Sequence, residues 1–303
     1  MAASEAATRV VLDEDDVPGA LALSDASGWN QTAEDWLQFL RHGRVLGVRS
    51  ALGEIVATGA ALPYDASQGW ISMVLVTPAW RHRGLATELL NDCVSQLRAR
   101  GITPVLDATP AGEQVYRRLG FAGGLGFERW EAGLGSGPSA AVPARAAPGP
   151  GAAGSARGLA SAQQAARRAG IEDIDAFAAL DAGASRIARR FLLESFLSRR
   201  DTRAWMSGDG EGFVIARAGR RATQVGPLVA ADEAAATALL DTALAHVVGP
   251  VFIDVPTRWQ ALSHWLDQRG FRRQRSFLRM ALGGTAALGG SDRLFAVAGP
   301  EFG

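Results

Sequence analysis

Residues 78–87, Pro-Ala-Trp-Arg-His-Arg-Gly-Leu-Ala-Thr, join an apolar strand ending at Val76 to a helix with no Ser, Thr, Asp or Asn cap between Trp80 and Leu85. The first backbone N–H groups of such a helix have no partner within it. Gly84 lets a ligand approach that backbone closely, and Arg81 and Arg83 add positive charge. Unpaired amides, a helix dipole and two guanidiniums together form an anion site that a pyrophosphate fits. The alternative is a strand–turn–helix that serves packing alone. Asp107 ends the apolar run Val105-Leu106-Asp107. It either acts as a general base, or it bonds the backbone of the turn that follows. Tyr116 is one of two tyrosines in the chain. Its phenol, with an ordinary pKa of about 10, can hydrogen-bond a developing anion or fill a core position. Trp29, Asn30, Gln31 and Thr32 form a loop between two expected helices. An aromatic followed by amides suits a polar ligand, whereas Thr32 reads as a helix cap. Glu54 is an alternative base.

These residues must be held by strands and helices, and the pattern supplies them. Apolar residues at 85, 86, 89, 90, 93, 94 and 97 give the helix after Gly84 one buried face. Strands are expected at 9–12, 44–49, 54–62, 69–76 and 103–107, with a strand pair at 121–131. Helices are expected at 15–24, from Thr32 to Leu40, at 84–99 and at 110–119, where Thr109 caps and Pro110 takes the first position. The stretch 132–158 is almost entirely Gly, Ala, Pro and Ser. Such a composition cannot bury a core and reads as a linker. Beyond it, helices are expected at 159–169, 172–181, 186–198, 232–247 and 257–269. Strands are expected at 203–206, 212–217, 222–229, 250–254 and 271–282.

The second half repeats the first in altered form. Leu106-Asp107-Ala108-Thr109-Pro110 leads to Leu119-Gly120-Phe121, and Ile253-Asp254-Val255-Pro256-Thr257 leads to Arg269-Gly270-Phe271. A repeat of this kind signals a duplicated architecture. The second copy lacks the anion loop: Asp232 and Glu233 stand at its helix start, and Leu266 stands where Tyr116 does. Asp254 is therefore either an acceptor ligand facing the first half or a turn residue.

Composition narrows the chemistry. The chain has 303 residues, enough for two cores, with 31 Lys plus Arg against 31 Asp plus Glu. Zero formal charge argues against a broad attraction to nucleic acid or an anionic membrane surface. Every basic residue is arginine, apart from four histidines. Without lysine no Schiff base can form. Cys93 is the only cysteine and falls on the apolar helix face, as a small buried hydrophobe would. The histidines show no metal-ligand spacing, so no metal is expected. The N-terminal residues lack a signal-peptide core and no apolar run is of spanning length, which points to the cytoplasm.

Residues 44–131 resemble the GNAT family of acetyl-CoA-dependent N-acetyltransferases. The resemblance rests on Val76-Thr77-Pro78-Ala79-Trp80-Arg81-His82-Arg83-Gly84-Leu85-Ala86 and on Tyr116 to Gly120-Phe121, in order and at the expected separation. It implies an α/β fold of two GNAT-like domains, each a mixed, mostly antiparallel sheet flanked by helices. One is a cofactor-binding domain at 1–131. The other, at 159–303, is a degenerate domain that shapes the acceptor site. It also implies that the pyrophosphate of acetyl-CoA lies on Arg81, His82, Arg83, Gly84, Leu85, Ala86 and Thr87. The pantetheine arm would run along Val74, Leu75 and Val76, where the strand parts from 103–107, and Tyr116 would protonate the departing thiolate. Trp29, Asn30, Gln31 and Asp254 become acceptor contacts. With GWNQTAEDW at 28–36, LDATPAG at 106–112 and LFAVAGPEFG at 294–303, the layout resembles the YitH type of bacterial GNAT protein. The expected activity is transfer of acetyl to a primary amine, on a small molecule rather than a protein, by direct attack in a ternary complex. Use of another acyl-CoA, or a regulatory module that binds CoA without turnover, are the alternatives. The acceptor, the general base and the oligomeric state stay open.

Overall fold

The computed structural model describes residues 7–133, 166–284, 288 and 290–303. The first half runs β1 (Ala7–Val11), α1 (Val17–Ala26), α2 (Ala33–His42), β2 (Arg44–Ser50), β3 (Ile55–Pro63), β4 (Gln68–Val76), α3 (Leu85–Ala99), β5 (Thr103–Ala108), α4 (Pro110–Arg118) and β6 (Phe121–Ala132). The second runs β7 (Arg167–Ala169), α5 (Ile174–Ser185), α6 (Arg190–Leu197), β8 (Arg203–Met206), β9 (Phe213–Arg217), β10 (Thr223–Val229), α7 (Glu233–Leu244), β11 (Val251–Pro256), α8 (Gln260–Gln268), β12 (Arg272–Leu282) and β13 (Leu294–Ala296). Local chemistry sets many of these boundaries. Thr32 and Asp35 form a reciprocal capping box at the start of α2, and Thr109 caps α4 ahead of Pro110.

The sheet departs from two separate domains. Among the described residues it is one sheet of thirteen strands, ordered β1-β2-β3-β4-β5-β12-β6-β11-β10-β9-β8-β7, with β13 against β10. Strand β12, from the end of the second half, lies between β5 and β6. Strand β6, from the end of the first half, lies between β12 and β11. Each half therefore completes its sheet with a strand of the other. Phe127 faces Phe277 at the crossing, with ring centroids 5.0 Å apart and nearly parallel planes. The pair expected within 121–131 is instead one long strand whose partner arrives from 272–282. The helix expected at 159–169 gives way to β7 over its last three residues, and residues 134–158 of the expected linker lie outside the described residues.

Two buried ion pairs fasten the exchange. Asp107 on β5 stands opposite Arg279 on β12, whose Nε and Nη2 donate to its two oxygens at 2.9 and 3.0 Å. Asp254 on β11 stands opposite Arg129 on β6, with Nε and Nη2 at 2.8 and 2.7 Å. Gln224 adds a third bond to Asp254 at 3.0 Å. Both aspartates are fully buried.

Alternation along the strands sends side chains to two faces. On one face α1 and α2 share a core with α5 and α6, in which Trp36, Phe39 and Trp70 join Phe196, Phe213 and Phe302. On the other face α3 covers the first half through Leu90, Cys93 and Leu97. There α7 and α8 cover the second half through Leu239, Leu240 and Leu262.

Candidate active site

The parallel pair β4–β5 is joined only from Gln68–Trp70 to Thr103–Val105. Past that point the strands part, leaving one backbone edge of β4 open from Ile71 onward. The opening is shaped by a bulge. Met73 holds a left-handed φ of 53°, and the register of β4 against β3 shifts there. A side chain with a Cβ adopts that conformation only under constraint. Buried Thr58 supplies it, donating from Oγ1 to the Met73 carbonyl at 2.8 Å. Thr58→Val keeps the shape and removes the bond. It is expected to cost about 1–2 kcal/mol by relaxing the bulge, which thermal melts of the variant and the wild type check.

At the end of β4 lies the uncapped helix. Gly84 is the N-cap of α3 with φ 82°, and no side chain bonds the helix start. The amides of Leu85, Ala86 and Thr87 are left for an outside acceptor. Arg81 and Arg83 brace the turn through Val76 O and Ala79 O, each at 3.2 Å, and Arg83 lies over Trp80 at 4.4 Å. Arg81, His82, Arg83, Gly84, Ala86 and Thr87 are exposed. This cradle fits a pyrophosphate.

The other half offers no such place. Asp232 caps α7 by accepting from the Ala235 amide at 2.8 Å, which places a carboxylate where an anion would go. Strands β10 and β11 also part after Val225 and Ile253, but β13 fills the gap. It pairs with β10, and the Val297 amide donates to Asp254 O at 3.0 Å.

Beside the β4 opening is a cavity of about 760 Å³. Trp29, Asn30, Gln31, Val74, Asp107 and Tyr116 all line it. So do residues beyond the exchanged strands, among them Arg129, Phe252, Arg275, Phe277 and Glu301. The two halves thus build one chamber. The Tyr116 ring packs on Phe121 at 6.0 Å, and burial raises its phenol above the ordinary value.

Several expected roles change once partners are visible. Asp107 lines the cavity with both oxygens paired to Arg279; burial pushes its carboxyl up and the guanidinium opposes that. Asp254 has both oxygens hydrogen-bonded to Arg129 and Gln224 and is not among the residues that line the cavity. Asn30 staples the halves together: Oδ1 accepts from the Arg221 and Ala222 amides at 2.9 and 3.0 Å, and Nδ2 donates to Ala222 O at 3.1 Å. Glu54 is exposed in the turn between β2 and β3, away from the cavity lining. Trp29 and Gln31 remain at the cavity. In the run Arg272–Arg275, Arg273 pairs with Glu128 at 3.3 Å, whereas Arg275 lines the cavity. Sequence reasoning missed Arg129, Arg275 and Glu301. A signal existed for the arginine clamps: Phe127-x-Arg129 follows Gly120-Phe121 at the same interval as Phe277-x-Arg279 follows Gly270-Phe271.

Among the described residues no group of His, Cys, Asp and Glu is placed to hold a metal ion, and no helix is long and apolar enough to cross a membrane.

Comparison with known proteins agrees with this geometry. Residues 16–121 match the acetyltransferase (GNAT) family, and residues 177–296 match an acetyltransferase (GNAT) domain. No curated protein matches the chain. Among solved structures, a candidate acetyltransferase from Pyrococcus horikoshii is similar with a TM-score of 0.77 at 21% identity, over 98% of this chain and 96% of that one. A tandem GNAT protein from the clavulanic acid biosynthesis pathway gives 0.61 at 16% identity, over 91% and 98%. A GCN5-related N-acetyltransferase from Kribbella flavida gives 0.56 at 22%, over 93% and 72%. At these identities the structures speak for the fold, and the two family matches speak for descent. The chain belongs to the GNAT acyltransferases and carries two GNAT domains in tandem.

Proposed function

We propose that this chain moves an acetyl group from acetyl-CoA to a primary amine on a small molecule, by direct attack within a ternary complex. One observation carries the reading: the open backbone edge of β4 at Met73–Val74 and the hydroxyl-bearing Tyr116 meet in a single cavity. Bound acetyl-CoA supplies a thioester carbonyl open to nucleophiles. The Leu85–Thr87 amides with Arg81 and Arg83 hold the pyrophosphate. Amides released by the splay hold the pantetheine arm along Val74–Val76 and polarise the thioester oxygen. The Arg81 bond to Val76 O takes one of the carbonyls in this stretch, so Val74 is the better placed partner. Tyr116, like any phenol, is protonated at neutral pH, burial raises its pKa further, and its hydroxyl can donate to the leaving thiolate.

No covalent acyl-enzyme is needed. The chain has no lysine, and the thiol of buried Cys93 is pushed up to about 12. The chamber suits a small polar amine held between Trp29 and Gln31 of one half and Phe252 and Arg275 of the other. The similar tandem protein named for clavulanic acid biosynthesis is consistent with a small-molecule acceptor. A cytoplasmic location fits a single buried thiol.

Tyr116→Phe is the test. Turnover should fall about a hundred-fold, while the calorimetric affinity for acetyl-CoA stays within about two-fold, since the phenol acts chiefly as the thiolate develops. Unchanged turnover under conditions where chemistry limits the rate would remove Tyr116 from the mechanism.

A further inference from the structure

With Asp107 and Asp254 committed to arginines, the chamber still needs a group to take a proton from the incoming amine. The segment that plugs the second cleft provides one. After β13 fills the gap between β10 and β11, the chain continues through 297–303 into the first half, where Pro300 and Glu301 line the cavity with Tyr116 and Val74.

We propose that Glu301 is the proton acceptor for the attacking amine; the assignment rests on the acetyl-transfer reading. Glu301 Oε1 accepts from Arg217 Nη2 at 2.9 Å, and among the described residues no other side chain donates to this carboxylate. Asp107 and Asp254 are each gripped on both oxygens by an arginine, whereas Glu301 lines the cavity with an arginine on Oε1 alone. Its segment is firmly held. Arg217 Nη1 donates to Ala298 O at 2.6 Å, Tyr64 Oη to Phe302 O at 2.7 Å, and Arg189 Nη1 to Phe302 O at 2.8 Å. The Phe302 ring stacks on Phe39 at 5.0 Å. A base held this rigidly loses little by ordering in the transition state.

Burial also raises the Glu301 carboxyl, which makes it a stronger base than a surface glutamate, and Arg217 works against that rise. The charged and titratable groups acting on it come from several elements: Arg217 on β9, Arg129 on β6, Asp35 on α2 and Tyr64 just after β3. Glu301 takes a proton from the substrate ammonium, leaving a neutral amine. The nitrogen lone pair forms the C–N bond at the thioester carbonyl and the C–S bond breaks. Tyr116 gives its proton to the thiolate and regains one from the amide nitrogen as that nitrogen loses its second. The products are the acetamide and free thiol, with the first proton released from Glu301 to water.

Methylamine and hydroxylamine are probes of nearly equal size. Methylamine is protonated at neutral pH, and hydroxylamine is largely neutral. In the full chain, Glu301→Gln should cut acetyl transfer to methylamine about a hundred-fold yet leave transfer to hydroxylamine within about three-fold. The pH profile should show the cause. Wild-type kcat/KM for methylamine should rise with pH as Glu301 deprotonates, above the usual carboxylate range, and this limb should vanish in Glu301→Gln but survive in Glu301→Asp. Acetyl-CoA affinity should not change in either variant. An equal fall for both nucleophiles, or loss of acetyl-CoA binding and a lowered melting temperature in both variants, would show that Glu301 only braces Arg217 and would overturn the assignment. If the wild-type chain binds acetyl-CoA but acetylates neither probe and hydrolyses no thioester, acetyl transfer itself fails and the base role falls with it.

Discussion

Gly84→Glu is expected to abolish acetyl-CoA binding while the protein stays folded. Position 84 is exposed, and a Cβ there would meet only the end of the Glu88 side chain, 3.7 Å away. Bulk alone therefore costs little. The backbone is left-handed at φ 82°, so any side chain adds about 1–2 kcal/mol of local strain. The larger effect is charge. A carboxylate at the N-terminus of α3 occupies the positive end of the helix dipole and repels a pyrophosphate at close range, for a loss of about a hundred-fold or more in affinity. Gly84→Ala separates the two causes, because it carries the strain without the charge and should bind only a few-fold more weakly. Titration calorimetry on both variants decides. Unweakened binding by the folded Gly84→Glu chain would place the pyrophosphate elsewhere.

Arg279→Met should be the most destabilising single change in the exchanged strands. It leaves Asp107 buried without a counter-charge beneath Trp70, whose ring the guanidinium now covers at 4.5 Å. Removing one partner of a buried pair costs about 3–5 kcal/mol. Much of that cost is the stranded charge, so Arg279→Met combined with Asp107→Leu should recover a large part of the loss. Thermal melts of the two single variants and the double variant form the cycle. If the double variant melts no higher than Arg279→Met alone, the pair does not work by mutual neutralisation. The pH effect should grow: burial already holds the Asp107 carboxyl above its ordinary value with Arg279 in place, and without the guanidinium it rises further, so Arg279→Met should gain stability relative to wild type as pH falls.

Local elements were legible because their signals are local. The Thr32–Asp35 box, the apolar face of α3 and the Thr109-Pro110 start all lie within a few residues of the structure they specify. The anion loop was legible for the same reason, since the lack of a cap near Gly84 is visible in the string itself. The strand exchange was not. Asp107 and Arg279 are 172 residues apart, and nothing near either says that they meet. Asp107 thus looked like a base or a turn residue when it is half of a clamp. Asn30 looked like a ligand contact because an amide in a loop suits one, but its hydrogen-bonding groups close on the backbone of Arg221 and Ala222. Glu301 stood alone among small residues with no spacing to flag it. Only the passage of β13 through the second cleft brings it to the chamber.

The reciprocal strands also set the order in which the chain can become a protein. As synthesis proceeds, β5 and β6 leave the ribosome with a vacant slot between them, because the strand that fills it, β12, is made near the end. Until then β5 lacks a partner on one edge and β6 on both, and Phe127 is uncovered, the kind of surface that draws other chains into pairing. By this strand order the sheet of the first half cannot be complete until β12 has been made. The two halves are, by this topology, hard to part.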